Sequence, residues 1–392
     1  MQRSSDRPDS ATRRTFLKAG SAVLGAGLLA GCTGNEGGTP TTAAPTTTEE
    51  TETTEEGTTT DSYSVTMEPV GEVTFDSVPT TWAANNGSWA DMGIALGQDP
   101  PEALYLASRY HTQYYDEIPG VSVDTSDMTS LWQSELDPEA FLQLGEEVEL
   151  FVMDPNFILG RTKNWEQTDI DQIEATGTPF FANSIFSRGY EWHDYPYLSL
   201  YEAFEKLAEV FDERERYEAM ESVHESFQES VAEVRPAEGE RPSVAIMWPG
   251  APDEPDSFSP YLIDEGTSFK QWRDLGVKDA FANTDVRDFH ANRGSVDYEL
   301  LLDIDPDVLL LRGNEHRTAE EFQDTVVAYM EDHSVASDLT AVKSGDVYRG
   351  GPLYQGPITN LVVTERAAAQ IYDADRDLFD RDRVGEIVAG DF

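Results

Sequence analysis

Apolar side chains recur at helical spacing from Leu198 to Arg235 (LSLYEAFEKLAEVFDERERYEAMESVHESFQESVAEVR), a stretch rich in Glu and Ala and free of Gly and Pro. This pattern predicts a long helical segment, with a break expected near Asp212. Pro236 and Gly239 end it, and Val244–Met247 (VAIM) opens a strand. On either side the period changes to short apolar runs divided by polar turns. EAFLQLGEEVELF (139–151) lies over ELLLDIDPDVLLL (299–311) without a gap at a constant offset of 160, with Glu139 on Glu299, Leu142 on Leu302, Val148 on Val308 and Leu150 on Leu310. Each copy reads as a short one-sided helix, an acidic turn and a buried parallel strand. A second echo, in the same order, sets TTWAANNGSWADMGIALG (80–97) against VAIMW (244–248) with SFKQWRDLG (268–276). The expected fold is therefore α/β: two Rossmann-like α/β lobes, residues 64–197 and 237–392, joined by a long connecting α-helix (198–236), with a ligand cleft between the lobes. A long helix is a stiff connector, so little relative movement of the lobes is expected.

The first 63 residues follow neither period. Arg13 and Arg14 stand in TRRTFLK, ahead of an uncharged apolar run, Ala19 to Gly31. Those 13 residues are too few to cross a hydrocarbon core of about 30 Å. A twin arginine in this setting marks export of a folded protein. Leu29-Ala30-Gly31-Cys32 looks like a lipobox, and Cys32 is the only cysteine, so it is the expected lipid attachment point and no internal disulfide can form. Thr33–Tyr63 holds 13 Thr and 7 acidic residues but no basic one, a composition that cannot pack a core. Residues 1–31 thus read as a twin-arginine lipoprotein signal peptide and 32–63 as lipid anchor and Thr/Glu-rich stalk. The expected location is the outer face of the cell membrane, with contact to the membrane only through the lipid.

Charge narrows the partners. The chain has 27 basic and 75 acidic residues, net −48, which repels nucleic acid and anionic lipid headgroups. Eighteen Phe, 16 Tyr and 7 Trp distinguish it from a disordered acidic chain. Acid spread along the whole length, with few Lys, resembles the proteins of salt-loving archaea.

The lipobox and stalk, the two α/β halves bridged by a helix, and the unit E-x-x-L…E-V-x-L in the first half and E-x-x-L…D-V-x-L in the second resemble the ABC-importer binding proteins for ferric siderophores, haem and cobalamin, over about residues 65–385. The resemblance implies a substrate-binding component that hands a small-molecule iron chelate to a permease dimer with its ATPase subunits. It also implies that Glu139 and Glu299 are the surface glutamates that dock on the permease. A ferric siderophore is the expected ligand, with haem, cobalamin and ferric ion as alternatives, and no cofactor is expected. A surface enzyme or an adhesion protein is the competing class, but the chain has no nucleophile elbow, phosphate loop or dinucleotide fingerprint.

Ligands of open α/β sheets sit outside the carboxyl ends of the strands. That rule selects Asn85, Asn86, Trp89, Arg109, Tyr110, His111, Arg161, Arg188, Tyr190, Trp192 and His193 in the first lobe. In the second it selects Trp248, Tyr261 in the loop after VAIM, His290, Arg293, Arg312, His316 and Tyr354. An arginine fork suits an anionic ligand, and residues 64–392 carry 17 Arg against 5 Lys. Aromatic rings suit a flat or catecholate ligand. The six His form no zinc or manganese cluster by spacing, and His224-Glu225, a helix-surface pair, lacks the second His of a zinc-protease helix because position 228 is Gln. Tyr110, His111, Tyr114 and Tyr115 are the residues by which ferric iron would be coordinated directly.

Overall fold

The computed structural model describes residues 62–392, so Arg13, Arg14, Cys32 and nearly all of the stalk lie outside the described residues. A hairpin of β1 (Tyr63–Met67) and β2 (Gly71–Phe75) precedes the first lobe. That lobe contains β3 (Trp82–Ala84), β4 (Ala103–Leu104), β5 (Thr129–Ser130) and β6 (Leu150–Val152), ordered β5-β4-β3-β6 and all parallel. A bridge from Phe151 to Phe180 extends it.

The second lobe is mixed. It contains β7 (Ser243–Pro249), β8 (Ser257–Tyr261), β9 (Lys278–Asp279), β10 (Val296–Asp297), β11 (Val308–Leu311) and β12 (Val347–Arg349). Here β7, β11 and β12 run parallel, as do β7 and β9, while β8 turns back antiparallel on β7. Tyr261 therefore ends a strand, and the expectation that it lies in a long loop is corrected. The turn after Pro249 folds β8 straight back on β7, its Gly250 N–H donating to the Ser257 carbonyl.

The internal repeat appears as matching pieces in the two sheets. Helix Pro138–Leu144 leads into β6, which pairs with the first strand β3, and helix Tyr298–Ile304 leads into β11, which pairs with β7. Both sheets are buried on two faces, which is why these strands are apolar without alternation. In the first lobe Trp82, Ala84, Leu150 and Val152 face one core while Ala83 and Phe151 face another. Likewise Val244, Ile246 and Leu310 join the first of these cores, and Ala245, Met247, Leu309 and Leu311 face away.

That shared core is built on the connector. Helix Leu200–Val210 is followed by Asp212 in the left-handed region (φ 54°) and then by the 21-residue helix Arg214–Val234. At about 1.5 Å per residue the second helix spans about 31 Å. One end holds the first lobe, where Arg216 donates to the Leu96 carbonyl; the other holds the second, where Gln228 and Arg235 donate to the Asp274 side chain and carbonyl at 3.0 and 3.1 Å.

A second tie crosses between the halves. Helix Gly87–Ala95 is buried along its whole length, and Asp91 in its middle faces the start of helix Pro357–Tyr372. The Asp91 carboxylate accepts the N–H groups of Ile358 and Thr359 at 3.0 and 3.2 Å, neutralising orphan donors at a helix N-terminus. Gly356 makes room, since a Cβ there would lie 2.3 Å from the Asp91 carboxylate. Among the described residues no helix is long and apolar enough to cross a membrane.

Candidate functional site

Between the lobes lies a cleft of about 310 Å³. Its first-lobe wall follows the strand-end rule. Asn85 and Asn86 come directly after β3, and Asn86 caps the next helix by accepting from the Ser88 N–H at 2.9 Å. Tyr105, Leu106 and Arg109 follow β4, and Arg109 ends a short 3-10 turn. Phe157 and Arg161 lie on helix Pro155–Arg161 after β6, whose start is capped by Asp154. Ser184, Phe186 and Tyr190 come from the segment after Phe180. The second lobe supplies Trp248 from β7, Ser259 and Tyr261 from β8, Phe289, His290 and Arg293 from the turn at 289–293, and Leu353 and Tyr354 after β12. The two walls are tied at the floor, where Thr267 N–H donates to the Ile185 carbonyl at 2.9 Å and Ser268 N–H to that of Phe186 at 3.3 Å.

The cleft is cationic in an acidic protein. Removing residues 1–63, with 5 basic and 9 acidic residues, leaves 22 basic and 66 acidic, yet among the described residues no Asp or Glu lines the cleft. Arg109, Arg161 and Arg293 do line it, and among the described residues none of the three forms a salt bridge. Each rests on an aromatic face instead: Arg109 over Trp248 across the lobes at 5.0 Å, Arg161 over Phe157 and Tyr190 at 5.7 Å, Arg293 over Phe289 at 5.0 Å. An aromatic face orients a guanidinium without neutralising it, so three positive charges remain available. His290 reports their field. Burial, followed by the charges of Arg312, Arg161, Arg293 and Arg109, lowers its imidazole to about 3, so the ring is neutral at pH 7. Its Nδ1 is buried with no partner, and the ring sits 4.7 Å from that of Tyr261 and 5.1 Å from that of Phe186.

Ten of the eighteen residues that the strand-end rule selects are brought together: Asn85, Asn86, Arg109, Arg161, Tyr190, Trp248, Tyr261, His290, Arg293 and Tyr354. The other eight lie elsewhere. Trp89 is buried in the core, because every residue of its helix is covered. Tyr110 packs on Gly87 and hydrogen-bonds the Tyr115 hydroxyl at 2.8 Å. His111 lies on the far side of Arg109, beside Glu315. Arg188 covers the Tyr197 ring at 4.1 Å and donates to the Leu198 carbonyl at 3.1 Å, a loop-holding role. Arg312 lies behind Tyr261 and is wholly buried. His316 is exposed and does not line the cleft.

Direct ferric coordination by Tyr110, His111, Tyr114 and Tyr115 does not fit either. The Tyr114 and Tyr115 phenols point into the protein, that of Tyr114 donating to the Glu315 carboxylate. His193 is buried between the rings of Tyr195 and Tyr197 at 3.8 and 3.6 Å, and burial lowers it to about 4. Trp192 stacks on Tyr190 at 4.8 Å behind the cleft wall, over Gly160, where a Cβ would lie 2.3 Å from the indole. His224 is half-buried against Tyr201, ring centroids 4.1 Å apart, a correction to its expected place on the helix surface. Among the described residues no group of three or more His, Cys, Asp or Glu is placed to hold a metal ion. The wall residues not singled out from sequence, among them Phe157, Phe186, Leu353, Ser184 and Ser259, are ordinary apolar or hydroxyl side chains that only the fold distinguishes.

Two lobes, a helical connector and a cleft at the strand ends define a solute-binding protein. The sequence profile of the periplasmic binding protein family matches residues 149–353, and the chain belongs to that family. Among solved structures it is similar to the iron uptake ABC transporter substrate-binding protein PiuA from Streptococcus pneumoniae, at 17% identity and TM-score 0.54, over 79% of this chain and 99% of that one. It is similar to the petrobactin-binding protein YclQ from Bacillus subtilis, at 16% and 0.52, over 80% and 98%. It is similar also to the triscatecholate siderophore binding protein FeuA from the same organism, at 15% and 0.50, over 77% and 96%. At these identities the likeness establishes the fold. No curated protein matches the sequence at a significant level.

Proposed function

We propose that this protein is the substrate-binding component of an ABC importer and that it captures an anionic ferric chelate, foremost a ferric siderophore. The observation that carries this reading is the charge of the cleft: three arginines that form no salt bridge among the described residues and a neutral histidine, in a protein whose residues 64–392 hold 66 acidic and 22 basic side chains. An anion placed there gains charge-assisted hydrogen bonds from all three forks, and the surrounding rings cover the planar rings of a catecholate-type ligand. The names of PiuA, YclQ and FeuA, an iron-uptake protein, a petrobactin binder and a triscatecholate binder, agree with this chemistry.

The rest of the proposal concerns the surroundings of the cleft. Glu139 and Glu299 are exposed second residues of the equivalent helices that lead into β6 and β11. This pseudo-symmetric pair of anionic knobs suits a two-fold permease. Cys32 anchors the protein by lipid after export through the twin-arginine route, and the acidic surface is an adaptation to concentrated salt.

The test is titration of the purified full-length chain with ferric tris-catecholate, followed by tryptophan quenching. Arg109→Gln, Arg161→Gln and Arg293→Gln should each weaken binding about tenfold or more, since a hydrogen bond to a charged group contributes about 1.5–3 kcal/mol. Binding that is unchanged in all three variants would place the ligand elsewhere.

A further inference from the structure

Arg312 is the one arginine among the described residues that is wholly buried, at 0% exposure. Burying a cation is costly unless a carboxylate balances it, and among the described residues none forms an ion pair with Arg312. Its Nη1 donates to the Ser268 hydroxyl at 2.7 Å and its Nη2 to the Ser268 carbonyl, both neutral acceptors. Among the described residues its Nε has no partner, and the guanidinium lies beside two rings, Phe269 at 4.6 Å and Tyr261 at 5.4 Å. The nearest carboxylates serve other groups. Asp264 accepts from Ser187 and from the Arg188 and Gly266 N–H groups, Asp288 caps the helix at 289, and Glu315 is paired with Arg366. The charge sits beside Tyr261, which itself lines the cleft, and Arg312 is the cation that most strongly opposes protonation of His290.

We infer that Arg312 is a positioning residue of the ligand site: it projects positive potential through the Tyr261 ring, so that the cleft prefers anionic chelates over neutral ones of similar shape without touching either. The inference rests on the reading of the cleft as a chelate site. Field of this kind is not lost with distance as a hydrogen bond is; in a low-dielectric wall a charge acts across a ring's thickness and scales with the charge of the ligand. Asp264, Glu315 and Asp288 reach Arg312 only through their fields, and an anion in the cleft adds to that stabilisation. The competing role is mechanical, since Ser268, which Arg312 holds, is also bonded through its N–H to Phe186 of the first lobe.

Two substitutions separate charge from scaffolding. Arg312→Gln removes the charge and keeps a donor for Ser268, whereas Arg312→Lys keeps the charge and alters the hydrogen bonds. Each full-length variant is titrated with ferric tris-catecholate, a trianion, and with ferric tris-acetohydroxamate, which is neutral, with melting temperature as the folding control. The expected result is that Arg312→Gln weakens tris-catecholate binding about tenfold or more and changes tris-acetohydroxamate binding less than about threefold, while Arg312→Lys retains the preference for the anion. Equal loss of both chelates in the Gln variant, or loss of the preference in the Lys variant, overturns the inference in favour of scaffolding. Should the Gln variant fail to fold, the Lys variant alone decides; collapse of both assigns the residue to the fold and overturns the inference too. Failure of the wild type to bind tris-catecholate is a different result, which refutes the reading of the cleft itself.

Discussion

Replacing Glu315 by Gln isolates one charge at the seam between the lobes. Its side chain is 1% exposed, in the loop after β11, and its carboxylate accepts from Arg366 at 2.9 Å, from the Gly351 N–H at 3.0 Å and from the Tyr114 hydroxyl. Its main-chain carbonyl accepts from Gln113 at 3.0 Å, so the loop is held to the first lobe twice. Breaking a buried pair by removing one partner costs about 3–5 kcal/mol. Gln keeps an oxygen for the neutral donors, and Arg366 is 23% exposed so water reaches it, which reduces the expected loss to about 2–3 kcal/mol at pH 7. Burial alone would raise the Glu315 carboxyl, but Arg366 and Tyr114 outweigh it and hold the group below the ordinary range. A carboxyl lowered in the fold stabilises above its unfolded value of about 4.3, and that contribution disappears as pH falls through the folded value. The gap between wild type and Glu315→Gln should therefore be full at pH 7 and shrink below about pH 4. Urea unfolding followed by circular dichroism at both pH values measures it. A gap under about 0.5 kcal/mol at pH 7, or one unchanged by acid, would refute the reasoning.

Asp91 should show the opposite sign. Burial raises its carboxyl to about 6 despite the hydrogen bonds from Tyr115, Thr359 and Ile358. The folded chain thus takes up a proton between about pH 4 and 6, and wild-type stability relative to Asp91→Asn should fall by about 3 kcal/mol as pH rises through that window, as read from urea unfolding; a flat difference would contradict it. Glu139→Ala combined with Glu299→Ala should leave chelate affinity and melting temperature nearly unchanged while uptake by cells falls, most at low salt. Normal uptake by that double variant would remove the docking role.

The sequence carried the architecture because burial on two faces leaves a signature that survives without coordinates. Val244–Met247 and Val308–Leu311 are apolar at every position, and the unit from Glu139 to Phe151 repeats from Glu299 to Leu311 with both copies placed alike in their sheets. The break at Asp212 was legible as well, since no Gly or Pro is there and Asp is one of the few side chains that tolerates a left-handed turn. Strand ends mark where a cleft opens, which brought in Arg109, Trp248 and His290. They do not say which way a side chain turns. Trp89 follows β3 by five residues, as Arg109 follows β4, and Arg312 follows β11 directly, yet Trp89 joins the core and Arg312 lies beside Tyr261 outside the cleft lining. Nor does spacing reveal an antiparallel return such as β8, which carries Tyr261 and Ser259 to the cleft from an unexpected direction.

The arginines of the cleft suit the anionic iron chelate proposed as its ligand. The most direct measurement is native mass spectrometry, with metal analysis, of the full-length chain purified from its own host under iron limitation. One ferric, negatively charged small molecule per chain, absent from an Arg109→Gln, Arg161→Gln, Arg293→Gln triple variant that still folds, is the result predicted. A neutral or iron-free ligand, or a chelate retained equally by the triple variant, would contradict it.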